Sequence, residues 1–326
     1  MKKIMLGIII TMSLLCGCDN EKDNVINDKE TTSESETESQ DSNIDVNRGI
    51  GTFLNIYKIT RDEATGEIKY SYFLDDYISY DGNKIELGIA MYIDPVSNKY
   101  DTVKAMSMMV VDDQLVPFTI DDSEEKLVHN ITLENAKEAR KLISFSPNNL
   151  EKGEEQEWAI ILVPLLEEYN HVPDEAMAAF YHKKITSTVE KTNTVDKDYF
   201  DKDYFYDTTK NVYDKELYEI CKYNGAVRDY ILLGKDNKWY YTSDQHVGGK
   251  VVTLLFCDGE LYDGFNGKYS LLIDKTMDGQ QVHKEIDTLK LTSGKHEIFA
   301  VILTYDENNE FKDAHKSLVG EISIDK

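Results

Sequence analysis

Beyond residue 50, apolar residues recur at every second position in run after run. Residues 84–93 show it best, because Ile85, Leu87, Ile89, Met91 and Ile93 share one face and so predict a half-buried strand. Runs of the same kind lie at 53–59, 68–73, 103–111, 115–120 and 158–165. Past residue 220 they resume at 227–233, 239–241, 251–257, 269–273, 286–291, 298–304 and 318–324. Asp-Gly or Ser-Gly turns at 81–82, 258–259, 278–279 and 293–294 punctuate them. Short strands between tight turns predict antiparallel sheets packed face to face rather than βαβ units. Two segments break the period. Residues 132–141 predict a short helix or 3₁₀ turn. Residues 173–184 predict a helix, opened by Pro173, Asp174 and Glu175 and closed by Lys183 and Lys184.

The layout recurs along the chain. KAMSMMVVDD at 104–113 and KVVTLLFCDG at 250–259 each join a lysine, an apolar run and a tight acidic turn. Each is followed by a charged, Gly-led strand, GEEQEWAIILVPL at 153–165 and GKHEIFAVILT at 294–304. This recurrence predicts an all-β fold, one or two short helices aside, of tandem immunoglobulin-like β-sandwich domains. The first is placed at 48–194 and the second at 211–326. Between them, at 195–210, an acidic aromatic linker carries the doubled phrase DKDYF. All five prolines precede residue 174, which agrees with two distinct halves.

The N-terminal end follows different rules. Lys2 and Lys3 precede a run of apolar residues from Ile4 to Leu15. That run is too short for a bilayer-spanning helix, which needs roughly 20 residues, and it fits the apolar region of an export signal. It ends at Leu15-Cys16-Gly17-Cys18, which resembles the lipobox of bacterial lipoproteins. The resemblance implies a signal peptide over 1–17, cleaved before Cys18 by signal peptidase II, and Cys18 as the lipid-attachment residue. Cys16 is the poorer candidate, because Leu15 before it is not small. Two acyl chains on Cys18 would hold the chain to membrane lipid stably, where one would not. Residues 18–47 then read as an acidic Ser/Thr-rich tether. Residues 19–47 hold ten acids, two lysines and no aromatic residue, too little apolar surface to fold. As a flexible coil they span about 30 Å, and about 100 Å when fully stretched.

Charge narrows the partners. The 326 residues carry 61 Asp and Glu against 36 Lys and Arg, a formal net charge of −25. Nucleic acid is excluded as a partner, since phosphate backbones are gripped by clustered cations. Much of the acidity lies beyond residue 47, so charge would repel the chain from anionic lipid and the anchor is what would hold it there.

Candidate chemistry is sparse. Cys221 and Cys257 form a possible disulfide, which would stabilise by about 3–4 kcal/mol in the chain-entropy model. The alternative is two buried free thiols. The seven histidines make no HxxxH or HExxH pair, and His296 at a strand start reads as structural. Asp196, Asp198, Asp201 and Asp203 are dense, but the glycine and bidentate glutamate of a calcium loop do not follow. No metal site, cofactor or catalytic residue is assigned, and no Gly-x-Ser-x-Gly elbow or phosphate loop occurs. Trp239, Tyr241 and Tyr262 are the possible ligand-facing aromatics, suited to stacking on a sugar or anchoring a protein. The sequence therefore points to a non-catalytic, lipid-anchored envelope protein that binds or assembles with an envelope protein. The alternative is a carbohydrate-binding or carbohydrate-active lipoprotein with a glycan partner. The Lys/Asn/Asp/Ile/Tyr-rich composition places it on the outer face of a Gram-positive cell membrane.

Overall fold

The computed structural model describes residues 51–73, 75, 77–94, 101–112, 114–147, 150, 152–165, 178–190, 206–208, 229–234, 237–244, 249–273 and 281–325. Cys18, Cys221, the tether and most of the linker lie outside them. Residues 46–326 form one compact unit, and it is all-β.

The first sandwich is built from β1 (Gly51–Arg61), β2 (Ile68–Tyr72), β3 (Tyr77–Tyr80), β4 (Ile85–Asp94), β5 (Thr102–Val111), β6 (Gln114–Leu115), β7 (Phe118–Ile120), β8 (Val128–Glu134), β9 (Ala139–Phe145), β10 (Glu155–Pro164) and β11 (Ala179–Ser187). Sheet I has the order β2-β1-β4-β9-β7; sheet II runs β3-β11-β10-β5, with β6 and β8 both beside β5. The second sandwich follows with β12 (Tyr206–Thr208), β13 (Asp229–Leu233), β14 (Trp239–Asp244), β15 (Val251–Cys257), β16 (Glu260–Leu261), β17 (Ser270–Ile273), β18 (Gln281–Ile286), β19 (Gly294–Tyr305), β20 (Phe311–Lys316) and β21 (Gly320–Ile324). Sheet III runs β12-β17-β15-β19-β20, with β16 on β15 and β21 on β19, and sheet IV runs β13-β14-β18.

The chain path is the same in both. β4 crosses to β5, the chain returns beside it as β8, crosses back to β9 next to β4, then recrosses to β10 and β11. β14, β15, β17, β18, β19 and β20 repeat those steps. This is the Greek-key, sheet-switching route of immunoglobulin-like sandwiches. The copies agree down to the hairpin bonds. Asp112 (φ 54°) and Asp258 (φ 52°) occupy equivalent left-handed turn positions. Asp112 N–H donates to Glu157 O at 2.6 Å and Asp258 N–H to Glu297 O at 2.9 Å. In return Glu157 N–H donates to Asp112 Oδ1 at 3.1 Å, and Glu297 N–H to Asp258 Oδ1 at 2.9 Å. An Asp side chain tolerates this backbone region because it bonds locally.

Three apolar layers hold four sheets. Between I and II lie Ile56, Ile89, Phe145, Met109, Trp158 and Ile185; between III and IV lie Tyr241, Val282, Leu255, Phe265 and Ile302. The third layer joins the two sandwiches. Met106, Met108, Ile161 and Val163 of sheet II meet Leu254, Phe256, Val301 and Leu303 of sheet III. Strands β5, β10, β15 and β19 are thus buried on both faces, odd and even positions going to different cores. Phe256 and Phe299 stack at 5.3 Å in the seam, and Phe180 meets Phe311 edge-on at 5.1 Å. Polar ties cross it too: Tyr305 Oη donates to Asp112 O at 2.8 Å, and Phe311 N–H to Glu157 Oε2 at 2.6 Å.

Several expectations need correction. There is no helix among the described residues. Residues 132–141 hold the end of β8, a turn at Asn135 and Ala136, and the start of β9, because both flanks find ladder partners in opposite sheets. Residues 179–184, expected in a helix, belong to β11, paired with β10 from Leu162↔Ala179 to Glu155↔Thr186. The run at 115–120 is split between β6 and β7 around Pro117, which lacks the N–H a ladder needs. The expected strand at 286–291 is loop beyond Ile286, and Leu291 reaches the core from there. Residues 206–208, assigned to the linker, run parallel to β17 as β12.

Candidate functional site

The aromatics singled out from the sequence face inward. On β14 the alternation puts Trp239 and Tyr241 on the core side and Tyr240 on the other. Tyr241 is 0% exposed, Tyr262 is buried with its hydroxyl donating to Asp287 O at 2.5 Å, and Trp239 is half-buried against the same core. None of the three presents a ring to solvent as a ligand platform. Tyr240 stacks on His283 at 4.1 Å.

Tyr241 serves a buried polar chain instead. Thr253 Oγ1 donates to Tyr241 Oη at 3.2 Å, and Tyr241 Oη donates to Asp229 Oδ1 at 2.7 Å. His315 Nε2 donates to Asp229 Oδ2 at 2.7 Å. Burial, with Asp229 adding to it, holds the Tyr241 hydroxyl well above its ordinary value, so it remains a donor. Burial pulls the His315 imidazolium down, but the bond and charge of Asp229, helped by Asp313, outweigh it and leave the value raised. A raised histidine stabilises the fold fully below the unfolded value of about 6.5, and that stabilisation is lost as pH rises through the folded value. Urea unfolding of the wild type should therefore weaken between pH 6 and 8 more than that of His315→Gln. Equal slopes for the two would contradict this account. His129, bonded to Phe118 O at 2.7 Å and lowered by burial, acts in the opposite sense below pH 6.5, in both proteins alike.

A cleft of about 560 Å³ opens on the seam. Lys104, Asn130 and Leu165 line it from the first sandwich, and Asp258, Glu297 and Lys316 from the second. Asn130 Nδ2 donates across it to Gly259 O at 3.3 Å. Lys316 is buried, its ammonium 5.2 Å from the Phe299 ring centre, and burial pushes it down to about 8 although Glu297 opposes that. Lys104 and Lys316 share the cleft with Asp258 and Glu297, beside Ala105, Phe299 and Val319.

Behind the cleft wall, Cys257 ends β15 as a free buried thiol. Burial, then the Asp258 carboxylate, push it up to about 12, so it is protonated at neutral pH and is a poor nucleophile. His296 Nδ1 lies 2.7 Å from Asp258 Oδ2, and its Nε2 lies 3.1 Å from Thr292 O. Cys221, the other half of the possible disulfide, lies outside the described residues, as does the lipid-attachment residue Cys18.

Tyr77 of β3 is exposed at the edge of sheet II, and a group of rings covers the outer face of sheet I. Strand register puts Tyr57 and Ile59 of β1 beside Tyr72 and Tyr70 of β2, and Phe53 and Tyr57 beside Tyr92 and Gly88 of β4. Tyr57 meets Tyr70 edge-on at 6.2 Å and Tyr72 at 5.5 Å. The Arg140 guanidinium of β9 sits 5.4 Å from the Tyr57 ring centre and 5.8 Å from that of Tyr70. Gly88 makes this possible, since a Cβ there would lie 2.4 Å from the Tyr70 ring. Tyr72 remains 68% exposed and Phe53 39%. The sequence signal was present: odd positions of β1 carry Phe53, Tyr57 and Ile59 where an outward face ordinarily carries polar residues.

No family model matches the chain, and no curated protein matches it. Solved structures do resemble it. The E. coli chaperone DraB is 10% identical over 85% of this chain and 100% of its own, with a TM-score of 0.23. The Pseudomonas aeruginosa CupB2 chaperone is 9% identical over 75% and 98%, with a TM-score of 0.20. The Salmonella enterica SafA pilin–SafB chaperone complex is 10% identical over 74% and 93%, with a TM-score of 0.21.

Proposed function

We propose that this chain is a lipid-anchored protein of the bacterial cell envelope, held on the extracytoplasmic face by acylated Cys18, that binds a protein partner and catalyses no reaction. The Leu15-Cys16-Gly17-Cys18 sequence supports the anchor, and the acidic stretch after it supports a tether. The binding reading rests on one observation, the ring-covered outer face of sheet I. Sheets II and III spend their outer faces on each other, whereas sheet I offers Tyr72 and Phe53 to solvent. Rigid amphipathic rings beside an arginine are the usual anchors of protein interfaces. A sheet face also suits a flat partner better than a single sugar chain, which a groove would enclose. A glycan-binding reading is second, favoured by the same rings, which can stack on sugar faces.

A photo-crosslinking residue in place of Tyr72 tests the first reading in the native envelope. One adduct of defined mass is expected, and Tyr70→Ala should weaken its formation about tenfold or more. No adduct, or one indifferent to Tyr70→Ala, would sink the protein-binding reading. Retention on a glycan array that Tyr70→Ala removes would replace it with the second. Incorporation of labelled palmitate, lost in Cys18→Ala, tests the anchor; an unlabelled wild type would remove it.

A further inference from the structure

We propose that Cys257, Asp258 and His296 form a zinc site at the end of the second sandwich. The thiol, one carboxylate oxygen and one ring nitrogen lie within 4.8 Å of one another. Zinc ligated by sulfur at about 2.3 Å and by nitrogen or oxygen at about 2.0 Å holds its donors roughly 3.3–3.5 Å apart, so the 2.7 Å His296–Asp258 pair would open slightly with the thiol in reach. The three come from the last residue of β15, the turn after it and the third residue of β19, tied by the Cys257↔Ile298 register. No local sequence motif contains them.

Each ligand is already oriented from behind. Asp258 Oδ1 accepts the Glu297 N–H at 2.9 Å, leaving Oδ2 to face His296. The Thr292 carbonyl, 3.1 Å from His296 Nε2, accepts a hydrogen bond from it and turns Nδ1 toward Asp258 and Cys257. This is how histidines are held in metal sites, by a carbonyl or carboxylate on the distal nitrogen. His296 Nδ1 and Asp258 Oδ2, 2.7 Å apart, share one hydrogen, and a metal ion would replace it.

The internal repeat supplies the control. Val111, Asp112 and Gln156 stand in the first sandwich where Cys257, Asp258 and His296 stand in the second, given the Trp158↔Val111 and Ile298↔Cys257 pairs. The Asp–Glu backbone exchange is the same in both turns, so the hairpin requires neither thiol nor imidazole. Only the second sandwich carries both, in one corner, around the equivalent aspartate. On binding, the thiol and imidazolium release their protons to solvent and the metal takes their place. Three protein donors leave a fourth position for water, and the exposed Asp258 gives an entry path.

Titration of the reduced full chain with cobalt(II), followed by zinc displacement, tests the site. One equivalent should raise near-ultraviolet thiolate-to-cobalt absorption, and zinc should abolish it. Cys257→Ser should remove the band, and His296→Gln should weaken zinc binding roughly 10- to 100-fold. Asp112→Asn, at the equivalent turn, should change neither. Surface acids bind cobalt without a thiolate band, so they cannot imitate the result. If Cys257→Ser fails to fold, His296→Gln decides alone. No band, a band surviving Cys257→Ser, undiminished zinc affinity in His296→Gln, or Cys257 already joined to Cys221 would each overturn the proposal.

Discussion

Ile161→Asp is expected to split thermal unfolding into two transitions. Ile161 is fully buried on β10 and points into the seam, not into the core between sheets I and II. A carboxylate there has no charged partner among the seam's apolar side chains, and such a burial costs several kcal/mol. Each sandwich keeps its own core, so the cost should fall on their union. Calorimetry should show one transition in the wild type and two in the variant, both at lower temperature. Ile160→Asp provides the contrast, because its side chain enters the first sandwich's own core. That substitution should unfold the first sandwich outright. A single unshifted transition in Ile161→Asp would mean that the seam carries no stability.

Trp158→Ala is expected to destabilise the first sandwich by about 3–5 kcal/mol, the range for deleting a large buried ring. Trp158 is 0% exposed, 5.4 Å from Phe145 and 6.5 Å from Tyr181 between ring centres. Trp158→Phe should cost much less than the alanine change. It keeps much of the volume and removes an indole N–H that is buried without a partner among the described residues. Urea unfolding midpoints give both numbers. A loss below about 1 kcal/mol for Trp158→Ala would mean that the pocket collapses around the deletion.

Long, clean alternations made strands legible in the sequence, whereas β3, β8, β9 and β20, short or mixed in pattern, escaped it. β4 is the clear alternation, with Ile85, Leu87, Ile89, Met91 and Ile93 all in one core. The sequence made the copy structure legible too, since the two lysine-to-turn phrases are β5 and β15. The seam was written in the same phrases and went unread. AMSMMVV and VVTLLFC have almost no polar face, and a strand with two apolar faces needs two cores. β11 was lost because AFYHKKITS has no clean alternation, while Pro173 and the paired lysines imitate helix ends. Its strand state comes from pairing with β10 on one side and β3 on the other, which no local pattern encodes. The aromatic reading failed for a related reason. Period two says that Trp239 and Tyr241 share a face, but not which face is inward. The cysteine corner was beyond local reading, because strand register alone brings Cys257 to His296.

The placement of β1 has a mechanical consequence. It lies inside sheet I, laddered to β4 from Gly51↔Asp94 to Tyr57↔Gly88 and to β2 from Tyr57↔Tyr72 to Arg61↔Ile68. Tension entering at Gly51 along β1 runs across bonds that stand perpendicular to the strand. They are sheared together rather than peeled one after another, and the load passes into β4, whose apolar side is locked in the first core. A chain pulled from its N-terminal side would therefore resist at β1, before force reaches the seam.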